Sequence, residues 1–122
     1  MLMSIFRALY DLLTDAGLPV YLADCVPDQA DFPYITAEIE APLTSRSAGA
    51  VTLTFWFTED QANSQRLSRM DRLLKQLPAR GLWLTTDSGT ITLRQEGNAA
   101  CLREGDVQGM KTRWKLCCFP KQ

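Results

Sequence analysis

From Pro33 to Phe57 the chain alternates between apolar and polar side chains twice over. In Pro33-Tyr34-Ile35-Thr36-Ala37-Glu38-Ile39-Glu40, the residues Ile35, Ala37 and Ile39 point one way and Tyr34, Thr36, Glu38 and Glu40 the other. Val51, Leu53, Phe55 and Phe57 then repeat the pattern, with Thr52, Thr54 and Trp56 on the opposite side. A period of two is the signature of a strand with one buried face. The second run leads into Thr58-Glu59-Asp60-Gln61. Thr58 and Gln61 have the spacing of a capping box, and Glu59 and Asp60 suit the positive end of a helix. Leu67, Met70, Leu73, Leu74 and Leu77 would form the buried stripe of that helix, which Pro78 and Gly81 end.

Before these strands, Leu2, Ile5, Phe6, Leu9, Leu12, Leu13 and Ala16 recur at intervals of three and four, so a first amphipathic helix is expected over residues 2–16. Gly17 and Pro19 stop it. Val20-Tyr21-Leu22 reads as a short extended piece. Later, Leu82 to Thr86 and Thr90 to Arg94 flank Asp87-Ser88-Gly89, a hairpin signal. Asn98 to Arg103 reads as a further short strand, Glu104-Gly105-Asp106 as a turn, and Met110 to Phe119 as the closing strand. The expected fold class is α+β: one domain, residues 1–122, with a mostly antiparallel sheet and two amphipathic helices packed on it.

Chemistry is sparse. The chain has no histidine, so a Ser–His or Cys–His pair is excluded. Asp24, Asp28 and Asp31 crowd one loop, but their spacing is not that of a calcium loop and the required glycine is missing. No glycine-rich phosphate loop stands between a strand and a helix. The expectation is therefore no enzyme activity, no cofactor, no metal and no small-molecule substrate. Cys25, Cys101, Cys117 and Cys118 form no C-x-x-C pair. With Arg7 and Asp11 breaking the N-terminal apolar run, no signal peptide is read, and free thiols in a reducing cytoplasm are expected. No apolar stretch reaches the roughly 20 residues that span a bilayer.

Surfaces remain. Residues 41–50 are small and polar, and Thr44, Ser45, Arg46 and Ser47 at their centre are candidate interface residues. Trp56 either packs against a neighbouring strand or contacts another subunit. Lys111, Arg113 and Lys115 share one face of the last strand. They either track phosphates or pair with Glu38 and Glu40 on an adjacent strand.

The order of elements resembles the tail terminator (tail-completion) proteins of long-tailed bacteriophages and prophages. Three stretches carry the likeness: Leu9-Tyr10-Asp11-Leu12-Leu13 leading to Val20-Tyr21 and Val26-Pro27; Phe32-Pro33-Tyr34-Ile35-Thr36; and Val51 to Thr58 running into the second helix, with Asp106 before the closing strand. The resemblance implies a mixed α/β subunit that joins copies of itself into a ring, typically a hexamer. It implies that the ring caps the tail tube, with the major tail tube protein and a head–tail connector protein as partners. The location implied is the virion tail, after assembly in the host cytoplasm. The hairpin at Asp87-Ser88-Gly89 with Trp83 has no match in that pattern and fits a related head–tail joining protein as well. A small nucleic-acid-binding module using the basic face of the last strand is the alternative from the residues themselves.

Overall fold

A computed structural model describes residues 2–14, 19–40, 48–58, 68, 72, 81–86 and 89–120. Among them are helix α1 (Leu2–Thr14) and strands β1 (Val20–Leu22), β2 (Tyr34–Glu40), β3 (Gly49–Thr58), β4 (Leu82–Thr86), β5 (Gly89–Glu104) and β6 (Val107–Pro120). They form one six-stranded sheet in the order β1-β2-β3-β6-β5-β4. β1 runs parallel to β2, and every other pairing is antiparallel.

This corrects the expected fold class. The described residues are mainly β with a single helix, so two helices packed on a sheet is not supported. Thr58 closes β3, and its expected capping partner Gln61 lies outside the described residues. The expected second helix otherwise lies outside the described residues, apart from Ser68 and Arg72.

Helix α1 buries Ile5, Leu9 and Leu13, a strict i, i+4, i+8 row. Phe6, Ala8 and Leu12 flank that row half-buried, while Arg7, Tyr10 and Asp11 face out. The hydroxyl of Thr14 donates to the Tyr10 carbonyl at 2.6 Å in the last turn. The helix touches β1 and β2 at one end of the strand order and β4 at the other. A flat sheet of this width would separate its outermost strands by about 24 Å, against about 10 Å for a helix diameter. The sheet must therefore curl around α1, which fills its concave side.

That concave side is the core. Ile35 and Ala37 of β2, Val51, Leu53 and Phe55 of β3, Thr112, Trp114 and Leu116 of β6, and Ile91 and Leu93 of β5 all bury there. These are the inward sets of the alternating runs, and the alternation holds through β6, where Lys111, Arg113 and Lys115 are exposed between buried neighbours. Trp114 is the largest fully buried side chain. Its indole N–H donates to the Thr112 hydroxyl at 3.0 Å, and that hydroxyl donates to the Leu53 carbonyl at 3.3 Å. Thr112 is thus an obligatory polar group inside an apolar layer, fully used in both directions.

The C-terminal hairpins differ from the sequence expectation in one respect. Residues 89–104 are a single strand, because β5 absorbs an irregularity between Glu96 and Ala100. It spends four residues from Glu96 to Ala100 where β6 spends two from Arg113 to Lys111. The even surplus leaves every later side chain on its original face. Gly97, at φ +69°, takes the backbone turn that this bulge needs. Gly105, at φ +60°, opens the tight Glu104–Val107 turn between β5 and β6, as expected from Glu104-Gly105-Asp106.

Replacing Thr112 by valine keeps shape but orphans the Trp114 N–H. Thr112→Val should cost about 1–3 kcal/mol in urea unfolding, a loss well beyond that of Thr52→Val on the outer face.

Candidate interaction surface

The outer, convex face of the sheet carries those candidate interface residues that are described: Trp56, Lys111, Arg113 and Lys115. Its rows follow from the registers: Tyr34, Thr36, Glu38 and Glu40 on β2; Trp56, Thr54, Thr52 and Ala50 on β3; Gly109, Lys111, Arg113 and Lys115 on β6. Ala100, Glu96 and Arg94 continue the rows on β5.

Trp56 sits half-buried at one end of this face. Its indole N–H donates to the Thr36 hydroxyl on β2 at 3.0 Å. Its ring lies over Gly109 on β6, where an added Cβ would stand 3.1 Å from ring atoms and 3.2 Å from the Thr54 methyl. Trp56 thus packs across both neighbouring strands, and Thr36 and Thr54 beside it are buried. Tyr34 joins Tyr21 in an edge-to-face contact at 5.8 Å and Phe32 at 5.0 Å. Burial first, then the negative Glu104 and then Tyr21, push the Tyr34 phenol above its ordinary value, so it stays protonated.

Lys111, Arg113 and Lys115 form the exposed row that their spacing implies. Their supposed neighbours differ. Glu38 and Glu40 belong to β2, and β3 intervenes between β2 and β6. The acidic and basic rows thus lie two strands, or about 9.5 Å, apart. The contact made is on the other side: Arg113 Nε lies 3.5 Å from Glu96 Oε2 on β5, with both side chains about half exposed. An exposed pair of this length contributes little to stability. Thr44, Ser45, Arg46 and Ser47 lie outside the described residues.

One surface feature escaped the sequence reading. Trp83 on β4 and Phe119 on β6 stack with centroids 6.1 Å apart and an interplanar angle of 11°. Trp83 is 71% exposed and Phe119 52%. The alternation does place Trp83 opposite Leu84, but nothing local shows that residues 83 and 119 meet. β5 separates β4 from β6, and only the sheet order brings the two rings over it. They lie beside the end of the sheet that β4 forms.

On the concave side, Phe57, Cys101, Arg103, Gln108 and Met110 line an open depression of about 230 Å³. That is below the roughly 300–1,000 Å³ of ordinary ligand sites. Among the described residues no group of three or more acidic, cysteine or histidine side chains is placed to hold a metal ion. The four cysteines are free: Cys25 and Cys101 exposed, Cys117 and Cys118 half-buried. Burial, and then the adjacent Cys117, raise the Cys118 thiol above its ordinary value. No described helix is long and apolar enough to cross a membrane.

No protein-family model matches the chain, and no curated protein matches it.

The packing at Trp56 and the thiol environments each have a measurable consequence. Gly109→Ala should destabilise by about 1 kcal/mol or more in urea unfolding, because the Trp56 ring is held by Thr36 and cannot simply swing away. With a thiol reagent at mildly alkaline pH, peptide mass spectrometry should find Cys25 and Cys101 labelled first and Cys118 last, since a raised thiol carries less thiolate.

Proposed function

We propose that this protein works by assembly: that it is a tail terminator, or a closely related head–tail joining protein, of a long-tailed phage or prophage. In this reading copies join head to tail into a ring, typically of six, which caps the tail tube and presents a surface to the head. The partners are further copies of the chain, the major tail tube protein and a head–tail connector protein. The place of action is the virion tail, after assembly in the host cytoplasm.

The observation that carries the assembly part is the exposed Trp83–Phe119 stack beside the β4 end of the sheet. Large stacked aromatics left in water are typical anchors of protein contacts. A heterologous contact between a sheet end and a neighbouring subunit closes into a ring when its rotation permits. The tail-specific part rests on the resemblance of the stretches from Leu9 to Val26-Pro27, Phe32 to Thr36 and Val51 to Thr58. In the structure, the first two supply α1, β1 and the entry to β2, and the third supplies β3.

A second reading has one observation in its favour: Lys111, Arg113, Lys115 and Arg94 are exposed on the face that also carries Trp83 and Phe119. Basic groups beside stacked aromatics suit single-stranded nucleic acid. Glu38, Glu40 and Glu96 on the same face oppose it.

Tail tube protein polymerising in the presence of this protein should give shorter tubes with a ring at one end in negative-stain electron microscopy. Trp83→Ser should leave unfolding within about 0.5 kcal/mol of wild type and yet abolish ring formation by light scattering. Tubes of unchanged length with wild-type protein would remove the tail reading; rings unaffected by Trp83→Ser would remove the aromatic contact.

A further inference from the structure

Three adjacent strands of the outer face align charge in rows. Glu38 stands opposite Thr52, and Thr52 opposite Arg113. Two residues along, Glu40 stands opposite Ala50, and Ala50 opposite Lys115. Each row reads acid, small neutral residue, base. Glu38, Glu40, Arg113 and Lys115 are all exposed. Within a row, acid and base are about 9.5 Å apart across β3, too far to pair with each other. The contact of Arg113 to Glu96 runs through Nε, which leaves the terminal amino groups of its guanidinium fork for a second carboxylate.

The geometry points to a second copy of this chain as the occupant of the outer face, related by a two-fold axis that lies along β3. Such an axis exchanges left and right across β3 but keeps position along the strand. Glu38 of one copy then faces Arg113 of the second, and Glu40 faces Lys115, in both directions at once. Only an isologous contact has this self-complementarity. The registers matter: a row offset of a single residue would have placed acid and base at different heights and on different faces. Of the β3 residues on the axis, Ala50, Thr52 and Thr54 are small and the Trp56 ring is packed over Gly109, so the two sheets can approach to the about 10 Å of face-to-face packing. Glutamate and lysine or arginine side chains together bridge such a gap. The convex curvature confines the contact to the strands nearest the axis, which are the three that carry the rows.

Charge decides between occupants. A nucleic acid on this face would gain Lys111, Arg113, Lys115 and Arg94 but would also meet Glu38, Glu40 and Glu96. A second copy uses both signs, and a net charge of −1 offers little repulsion between copies. The pairing is independent of the ring reading, because Trp83 and Phe119 lie off the axis, on the far side of Arg94 and Lys115.

Sedimentation velocity of the full chain in about 20 mM and about 500 mM salt, where the Debye length falls several-fold, tests the assignment. The wild type should show a two-copy species at low salt whose self-association weakens by about tenfold or more at high salt. Glu38→Arg with Glu40→Lys makes both rows basic; Arg113→Glu with Lys115→Glu makes both acidic. Each double variant, checked for folding by circular dichroism, should lose the two-copy species, and their equimolar mixture should restore it as a heterodimer. Trp83→Ser should leave it intact, which separates this contact from the ring contact. Three results would overturn the inference: a wild type that shows no salt-sensitive self-association, a mixture that fails to recombine, or self-association that survives either double variant. Binding of a labelled single-stranded oligonucleotide that is lost with the acidic variant, in a wild type with no two-copy species, would assign the face to nucleic acid instead.

Discussion

The sheet is held together by its last strand. β1, β2 and β3 form one hydrogen-bonded group and β5 and β4 another, and among the described strands β6 is the one that pairs to both. It meets β3 from Gly49–Leu116 to Thr58–Val107 and β5 from Gly89–Pro120 to Glu104–Val107. The N-terminal half of the molecule is thereby joined to the C-terminal half through contacts of long sequence separation, a topology whose loop-closure cost comes before its reward. Trp114 stands at the centre of that joint. Its bulk fills the layer between β3 and β5, and its N–H, through Thr112 and the Leu53 carbonyl, ties β6 to β3 on the buried side.

The same joint determines what each face can do. Inward, the curl of the sheet brings both of its ends to α1, so the apolar rows of five strands and the Ile5-Leu9-Leu13 row share one core. Outward, β6 brings its basic row between the threonines of β3 and the Glu96 and Arg94 of β5. The result is a face with ordered stripes of opposite charge and, at one side, two stacked aromatics.

Much of the fold was legible residue by residue. The alternation in residues 34–40, 51–57 and 110–118 gave the right strands and the right inward sets, and the i, i+4 pattern gave α1. Gly105 was read correctly as a turn. The break read between Arg94 and Asn98 was wrong for a physical reason: a bulge lets Gly97 sit inside a strand, and the even surplus of residues hides it from the alternation. The supposed neighbours of the basic row were wrong for a different reason. Opposite charges on two strands look like partners in a list of residues, but pairing depends on which strand lies between. The Trp83–Phe119 stack could not be read at all, since it bridges strands that are not neighbours in the chain or in the ladder.

By itself, the sequence determined which side of each strand faces inward, because that follows from a local period of two and the cost of exposing apolar surface to water. It also excluded histidine chemistry and supplied the glycines where the backbone needs positive φ. Strand order, the curl around α1, the row-by-row alignment of Glu38 with Arg113 and Glu40 with Lys115, and the exposed aromatic pair were decided only in three dimensions. Backbone donors and acceptors are identical along every strand, so hydrogen bonding alone does not choose a neighbour; the choice comes from packing all the inward sets into one core at once.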